Sequence, residues 1–272
     1  MELKATRVEL AGHVATLFLD RPHRHNAWTG RMHAEYRWVM ADLEQRDEIR
    51  AVVVTGTPPA FCVGGDSDAL AGHAERGAYD SGLGDEPARP GGDVRAELDA
   101  DFAYQYALRF PIIAAVNGAC AGVGLAVALF ADLRFGAAGA KCTTAAPKLG
   151  LPAEYGMSWV LPRLVGATRA ADLLFSGRVF TPGDTEGWGL WNGVAATGED
   201  TLALATDYAH RLAATVGPNA LRTTKAQLYT DLLRHDVGAA VHDAQTLLDG
   251  AMSTAEYREG VAALRDKRPP VF

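Results

Sequence analysis

The longest apolar stretch of the chain, residues 112–131, limits what the chain can fold into more than any other feature. Its twenty residues include one strongly polar side chain, that of Asn117. A stretch of this length can cross a bilayer as one helix. However, Asn117-Gly118 is a turn signal and Pro111 stands at the entrance, which favours a buried strand, a turn and a helix. We therefore predict a strand over Ile112–Val116, a helix over Gly122–Phe130 and no membrane span.

Two kinds of periodicity divide the rest of the chain. In the first two thirds, alternating or β-branched stretches predict strands, with helical stripes of apolar residues between them. From about Thr201 the pattern is helical only, so we expect an α/β core over residues 1–200 and a helical region over residues 201–272. The expected strands are Lys4–Leu10, His13–Leu19, Ala51–Thr55 and Leu133–Phe135, and the expected helices are Thr29–Gln45, Thr201–Thr215, Pro218–Arg234, Ala239–Leu248 and Ser253–Asp266.

One segment inside the core shows neither periodicity. Residues 71–93 are rich in glycine, proline and acidic side chains. Such a composition is typical of an irregular loop. We predict a mobile loop or lid here, within an insertion over residues 70–100, and no domain boundary.

Charge and cysteine content narrow the function classes. Lys and Arg number 26 against 33 Asp and Glu, a formal net charge of −7, whereas nucleic-acid binders present a basic face. The three cysteines, Cys62, Cys120 and Cys142, have no partner at zinc-ligand spacing, so we expect reduced, buried thiols and no metal site. The N-terminus lacks a basic segment followed by an apolar one, so no secretory signal is expected. These features predict a cytoplasmic protein without nucleic-acid or membrane partners.

Two glycine-rich turns are the first candidates for chemistry. Ala60–Asp66 follows the strand at residues 51–55, and Asn117–Gly124 follows the strand at residues 112–116 and leads into a helix. Glycines let backbone N–H groups face a ligand, and a helix N-terminus favours negative charge. The second turn imitates the glycine spacing of short-chain dehydrogenases. That interpretation fails because no tyrosine has a lysine four residues further on, and we expect two backbone donors to one oxygen instead.

At these turns the sequence resembles the crotonase superfamily, the enoyl-CoA hydratase/isomerase family, and the resemblance runs nearly from end to end. It implies an α/β spiral of strand-strand-helix units with a helical C-terminal trimerisation region. It also implies an acyl-CoA thioester as substrate, no separate cofactor because coenzyme A is part of that substrate, and a homotrimer or a dimer of trimers. The motifs that carry it are residues 21–27, residues 61–66, residues 115–124, LPRLVG at residues 161–166 and residues 267–272.

The resemblance also assigns residues to roles. The amides of Gly65 and Val123 would form an oxyanion hole for the thioester carbonyl, a device that typically contributes about 3–4 kcal/mol per donor. Residues of the first two motifs, and the two residues that follow the second motif, would line the groove for coenzyme A, where Arg24 could meet a phosphate. The residues expected along that groove are Arg24, Ala27, Asp66, Ser67 and Asp68.

The chain departs from the family at the acid and base. Alignment places Ala126 and Ala146 where hydratases carry two glutamates, and neither alanine can move a proton. Glu154 lies where related Δ3,Δ2-enoyl-CoA isomerases carry their single catalytic glutamate. We therefore expect a double-bond shift from 3-enoyl-CoA to 2-enoyl-CoA with Glu154 as proton shuttle. Two alternatives stay open: hydration by Glu154 with a second group such as Asp68 or an acid between residues 75 and 86, and a non-catalytic acyl-CoA-binding homologue.

Overall fold

Strands and helices alternate through the first two thirds of the chain, and only helices follow. The structure, a computed structural model, describes residues 1–77 and 94–272. The strands are β1 Thr6–Ala11, β2 Val14–Leu19, β3 Ala51–Gly56, β4 Ala60–Cys62, β5 Ile112–Val116, β6 Ala119–Ala121, β7 Leu133–Ala137, β8 Cys142–Thr143 and β9 Gly193–Ala195. The helices are α1 Gly30–Glu44, α2 Ser67–Arg76, α3 Val123–Leu129, α4 Met157–Val165, α5 Ala167–Ser176, α6 Gly198–Thr215, α7 Pro218–Asp231, α8 Val237–Met252 and α9 Ala255–Asp266.

A unit of two strands and a helix recurs along the core. In each unit a longer strand joins a large sheet, a short strand joins a small sheet, and a helix follows. The units are β3-β4-α2, β5-β6-α3 and β7-β8-α4. This recurrence confirms the predicted class, an α/β fold built as a spiral of strand-strand-helix units.

The two sheets have simple orders. The large sheet runs β1-β2-β3-β5-β7-β9, with β1 and β2 antiparallel and the other pairs parallel. The small sheet runs β4-β6-β8, all parallel. Parallel pairing places the carboxyl ends of neighbouring strands at one edge, which is where ligands bind in such sheets. In the small sheet that edge carries both glycine-rich turns.

Apolar side chains cover both faces of the large sheet, as its continuous β-branched strands require. On one face, Val14, Val53 and Ile113 pack against the small residues Ala205 and Ala209 of α6. The other face belongs to a larger core that includes α1, α3 and the small sheet. The helix α6, predicted as the start of the C-terminal region, thus packs on the large sheet.

A buried ion pair ties the next helix to the core. Lys225 on α7 donates to Asp132 Oδ2 at 2.7 Å and to the carbonyl oxygens of Gln105 and Phe110, both at 2.8 Å. Tyr229 donates to the other oxygen of Asp132 at 2.7 Å. Burial lowers the pKa of Lys225, while Asp132 opposes that shift. In contrast, α8 has no buried residue among those the structure describes.

Most of the predicted elements agree with the structure. Thr29 caps α1 as expected, with its hydroxyl accepting from the amide of Met32 at 3.2 Å. The predicted loop over residues 71–93 is wrong for residues 71–76, which complete α2; the rest of the predicted lid, residues 78–93, lies outside the described residues. The short strands β4, β6 and β8 were not predicted. Within the described ranges, no helix has both the length and the apolar character needed to cross a membrane.

Candidate active site

The first glycine-rich turn is fastened on both sides of Gly65. The amide of Trp28 donates to the carbonyl of Gly64 at 2.8 Å, and the amide of Asp66 donates to the carbonyl of Trp28 at 2.9 Å. Gly64 adopts φ +102°, a backbone conformation that side chains disfavour. This arrangement fixes the plane of the peptide between Gly64 and Gly65, and with it the direction of the Gly65 amide.

The second turn leads directly into α3. Gly122 adopts φ +49° and donates to the carbonyl of Thr143 at 3.1 Å, which joins the turn to β8. Val123 is the first residue of α3, so its amide has no acceptor within the helix. The positive end of the helix dipole lies at this amide, which suits an oxygen that gains negative charge.

The two turns lie side by side. The pairing of β4 with β6 ends at Cys62 and Cys120. Gly65 and Val123 each follow three residues later in the sequence. A Cβ built on Gly122 would lie 3.9 Å from the Cα of Gly64. Among the described residues, no hydrogen-bond acceptor is assigned to the amide of Gly65 or of Val123. Two candidate donors therefore lie on neighbouring turns at one edge of the small sheet.

Gly124 explains how the turns can approach so closely. A Cβ at this position would lie 2.4 Å from the carbonyl oxygen of Cys62 and 2.9 Å from its Sγ. Only glycine leaves room for β4 against the first turn of α3. The thiol of Cys62 is fully buried, and burial raises its pKa to about 12. Cys62 is therefore a reduced, buried thiol, as the sequence predicts, and its environment is typical of an inert cysteine.

Asp66 organises the segment after the first turn. It caps α2 by accepting from the amide of Asp68 at 3.1 Å, and it binds Arg21 and Arg24, each at 3.0 Å. Its side chain is 6% exposed. Burial alone would raise the pKa of Asp66, but these partners together lower it. Asp66 thus holds the segment after the first turn as a carboxylate shared by an amide and two arginines.

The side chains predicted along the coenzyme A groove are together in the structure, but they contact one another. The guanidinium of Arg24 binds Asp66, approaches Ser67 Oγ at 3.3 Å and pairs with the exposed Asp68 at 3.2 Å. Ala27 is buried, and its carbonyl accepts from Arg21 at 2.6 Å. Arg24 is therefore held by carboxylates and remains 39% exposed.

Two asparagines position the turns, and the sequence prediction missed both. Asn26 is fully buried, and its side-chain Nδ2 donates to the carbonyls of Thr57 and Ala60 at 2.8 and 2.7 Å. Asn117 donates to the carbonyl of Gly56 at 2.7 Å. Both tie the loop between β3 and β4 to its neighbours. The available signal was the turn dipeptide Asn117-Gly118 and the position of Asn26 at the end of a polar loop.

Glu154 differs from Asp66 in every respect that matters for proton transfer. Its carboxylate is half-buried and has no hydrogen-bond or ion-pair partner within residues 1–77 and 94–272. Burial raises its pKa. The loop that carries it is held by its backbone, since the Glu154 carbonyl accepts from the amide of Met157 at 2.9 Å and Leu151 donates to Ala146 at 3.0 Å.

An aromatic cluster connects this loop to the first turn. The ring of Phe102 lies 5.3 Å from that of Tyr155 and 5.6 Å from that of Trp28, measured between centroids. His33 and Tyr36 complete the cluster around Phe102. Because Trp28 pairs with Gly65 and Tyr155 follows Glu154, the cluster connects the turn of one candidate donor with the loop of the candidate base.

The helix α3 provides a second connection. Its first residue is Val123, and Phe130, the residue after its last one, lies close to Gly156 in the loop that carries Glu154. A Cβ at Gly156 would come within 3.2 Å of the Phe130 ring. Ala126 on this helix and Ala146 before the loop are both fully buried. Neither offers a group that can exchange a proton.

Comparison with family models shows to which protein family the chain belongs. The family model described as "Enoyl-CoA hydratase/isomerase" matches residues 9–272. This chain belongs to the enoyl-CoA hydratase/isomerase family. Membership confirms the predicted crotonase superfamily, whose members act on acyl-CoA thioesters.

Relatives in this family match over nearly their whole length. The 1,2-epoxyphenylacetyl-CoA isomerase of Escherichia coli strain K12 is 32% identical, with 100% of this chain and 98% of the relative covered. A probable enoyl-CoA hydratase of Rhodobacter capsulatus is 31% identical, with 100% and 99% covered. The crystal structure of an enoyl-CoA hydratase from Polaromonas sp. JS666 has a TM-score of 0.84 at 27% identity, with 98% and 99% covered.

Proposed function

We propose that this family member moves a double bond in an acyl-CoA thioester, from 3-enoyl-CoA to 2-enoyl-CoA, with Glu154 as the proton carrier. The observation that carries the proposal is Glu154 itself: a half-buried carboxylate with a raised pKa and no partner among the described residues, in a loop whose Tyr155 ring contacts the aromatic cluster. The similarity to the relative named 1,2-epoxyphenylacetyl-CoA isomerase supports isomerisation as the type of reaction.

The proposed reaction needs one base. The Glu154 carboxylate removes a proton from C2 of the 3-enoyl thioester, and the electron pair of that C–H bond becomes part of a dienolate with negative charge on the thioester oxygen. Protonated Glu154 then returns the proton to C4. The bond between C3 and C4 becomes single, and the bond between C2 and C3 becomes double. No water or second acid is consumed.

The dienolate oxygen is assigned to the amides of Gly65 and Val123. Backbone donors that are already fixed in place stabilise charge better than water does, because they need no reorganisation when the charge forms. The fastening of the Gly65 peptide by Trp28 and the position of Val123 at the start of α3 support this assignment. Asp66 supports it indirectly by holding the first turn.

The raised pKa of Glu154 suits the proposed shuttle. A carboxylate with an ordinary pKa is a weak base toward the C2 proton, and burial strengthens it by destabilising its charged form. Ala126 and Ala146, at the places where the family resemblance puts the hydratase glutamates, offer no competing base. We assign the groove for coenzyme A to Arg24, Ala27, Asp66, Ser67 and Asp68, with a phosphate replacing the exposed Asp68 carboxylate on Arg24.

The test compares Glu154→Gln with wild type on 3-enoyl-CoA and 2-enoyl-CoA substrates of several chain lengths. Loss of a general base costs roughly 10²–10⁴-fold in turnover. We expect a loss in this range for conversion of 3-enoyl-CoA, with the affinity for an unreactive acyl-CoA unchanged. Glu186→Gln is the matched control, since Glu186 is an exposed glutamate on the short 3-10 helix Glu186–Trp188.

Other outcomes decide between the alternatives. Water addition to 2-enoyl-CoA by wild type would replace isomerisation with hydration, and a second group would then have to be found. Absence of turnover on both substrates, together with retained binding of acyl-CoA, would show a binding protein. Deuterium exchange at C2 would detect proton removal even if no product accumulates.

We also propose assembly into a homotrimer or a dimer of trimers through the C-terminal helices. Exposed apolar side chains on α8 and α9 support this, with Val237, Val241 and Leu264 exposed by 79%, 55% and 79%. Isolated apolar side chains are common at surfaces, but a helix without any buried residue is stabilised chiefly by a partner. Sedimentation as a monomer would contradict the proposal.

A further inference from the structure

Three buried polar atoms beside the aromatic cluster have no hydrogen-bond partner. They are Trp28 Nε1, His33 Nε2 and the hydroxyl of Tyr104. The three side chains are 6%, 1% and 1% exposed. Within the described ranges only one other buried side-chain atom, on Arg234, shares this condition. The unpaired polar atoms are therefore concentrated in one place.

Such a concentration is costly in free energy unless it serves a ligand. Leaving one buried donor or acceptor unpaired costs about 1–3 kcal/mol, and native folds keep such groups rare. Phenylalanine could replace Tyr104 or Trp28 as a ring without that cost. Elsewhere in the same region the polar groups are paired, as Tyr36 shows by donating to Gln105 at 2.7 Å.

The cluster connects the Gly65 turn with the loop that carries the proposed base. The Trp28 backbone fastens Gly65, and the Trp28 ring contacts both His33 and Phe102 at centroid distances of 5.8 and 5.6 Å. Phe102 in turn contacts Tyr155, the neighbour of Glu154. An acyl chain held between Gly65 and Glu154 would therefore run along these side chains.

The charges nearby select an uncharged partner. Arg37 Nη1 lies 3.0 Å from Asp101 Oδ1, and His33 Nε2 lies 3.3 Å from the same oxygen. His33 and Arg37 together lower the pKa of Asp101. The guanidinium of Arg37 lies 5.4 Å from the ring centroid of Tyr104. Among the residues that the structure describes, Arg37 and Asp101 offset each other's charge at this end of the cluster. Trp28 Nε1 can only donate, so the missing partner must include an oxygen that accepts.

From this geometry we infer that the natural acyl group carries an uncharged oxygen, a hydroxyl or a ketone, beyond the reacting carbons. Trp28 Nε1 and the Tyr104 hydroxyl recognise this oxygen, with His33 beside them. The inference rests on the proposed acyl-CoA function and adds the substrate class to it. A site built to hydrogen-bond an oxygen discriminates strongly against the analogue that lacks it, because its own polar groups then stay unpaired.

The experiment pairs matched thioesters with matched variants. Saturated acyl-CoA esters of equal length, with and without a hydroxyl or keto group on the distal half of the chain, measure recognition by calorimetry without any reaction. The corresponding 3-enoyl-CoA pair measures kcat/KM. Tyr104→Phe and Trp28→Phe each remove one polar atom and keep a ring. Tyr106→Phe is the control, because Tyr106 stacks on Tyr229 at 3.8 Å, outside the cluster.

We expect wild type to prefer the oxygenated ester by at least about 10-fold in affinity, in keeping with the discrimination of polar sites. Tyr104→Phe and Trp28→Phe should each reduce this preference by about 10-fold while binding of the plain ester changes little. Tyr104→Phe should also unfold no earlier than wild type, because it loses no partner. If the Tyr104 hydroxyl were only structural, Tyr104→Phe would unfold earlier than wild type and would keep the preference for the oxygenated ester. Tyr106→Phe should keep the full preference.

The outcomes separate this inference from the proposed reaction. Equal affinity of wild type for both esters, or a preference for an acyl group ending in a carboxylate, overturns the inference and leaves the isomerase proposal standing. A clear preference without turnover overturns the isomerase proposal and leaves the inference standing. Absence of binding to any thioester overturns both.

Discussion

Asp66 and Glu154 belong to the same candidate site, yet their surroundings are opposite. Asp66 accepts from an amide and from two arginines, and these partners lower its pKa despite its burial. Glu154 has no such partner among the described residues, and burial raises its pKa. The charged form of the first carboxylate is stabilised by its partners, whereas burial favours the protonated form of the second. A sequence motif that contains an acid therefore does not by itself identify a catalytic acid.

The same contrast extends to the backbone around them. The glycine-rich turns are constrained by strand pairing, by two asparagine side chains and by close approach at Gly124. The Glu154 loop is held through a few backbone bonds and the Tyr155 ring. The proposed donors thus lie on the more constrained backbone and the proposed proton carrier on the less constrained one, a division that suits enolate chemistry.

The largest expected effect is at Gly124. A methyl group there would meet the carbonyl of Cys62 at 2.4 Å, and backbone cannot yield as a side chain does. We expect Gly124→Ala to lower the free energy of unfolding by about 3 kcal/mol or to prevent folding. Gly139→Ala is the control, with open space around its Cβ position. Comparable stability of the two variants in urea denaturation would show that the turns can separate.

Asp66→Asn should have the next largest effect. It leaves Arg21 and Arg24 without their shared carboxylate, at a cost of about 2 kcal/mol. The folded pKa of Asp66 is below its unfolded value, so wild type holds this stability above the ordinary carboxyl range and loses it as the pH falls toward the folded pKa. The variant should show a flatter acid limb in thermal unfolding. Asp68→Asn, at an 86% exposed carboxylate, should stay within about 0.5 kcal/mol of wild type.

Glu154→Gln should have the smallest effect on stability and the opposite sign. The folded pKa of Glu154 is above its unfolded value, so folded wild type holds the proton more tightly and loses stability as the pH rises through that interval. Glutamine carries no charge to desolvate. We expect the variant to be as stable as wild type at low pH and slightly more stable near neutral pH. Lower stability of the variant at neutral pH would mean that Glu154 has a partner.

The acid limb of the enzyme's pH profile tests the same residue in its proposed role. Glu154 must be ionised to accept the C2 proton, so kcat/KM should fall as the pH drops through its raised pKa. A limb centred at the ordinary glutamate value near 4.5 would contradict the pKa shift.

Local sequence patterns predict most of the longer strands and helices of this fold, because hydrophobic periodicity and turn residues depend only on neighbouring positions in the sequence. The strand Ile112–Val116 was predicted with its observed bounds, and the Asn117-Gly118 turn separates it from α3. The strands β4, β6 and β8 have two or three residues each, too few to show a period. The loop prediction is wrong for residues 71–76 of α2 because these residues continue in sequence into a glycine-rich segment.

Contacts between distant segments could not be predicted in this way. Arg24 was expected at a phosphate, and its binding to Asp66 and Asp68 depends on how two loops 42 residues apart meet. The side chains of Trp28, His33 and Phe102 come together through tertiary packing alone. Glu154 was found from the family resemblance, and the structure adds its environment.

The three cysteines occupy one register of the small sheet, with Cys62 beside Cys120 and Cys120 beside Cys142. Each is fully buried. A thiol reagent in solution can therefore reach them only when this sheet opens, so its labelling rate reports that opening directly. Followed with and without an acyl-CoA, the kinetics of alkylation would show whether ligand binding clamps the two strands that carry the proposed donors. The alkylation rate of these three cysteines is therefore a measure of how often the small sheet opens at the candidate site.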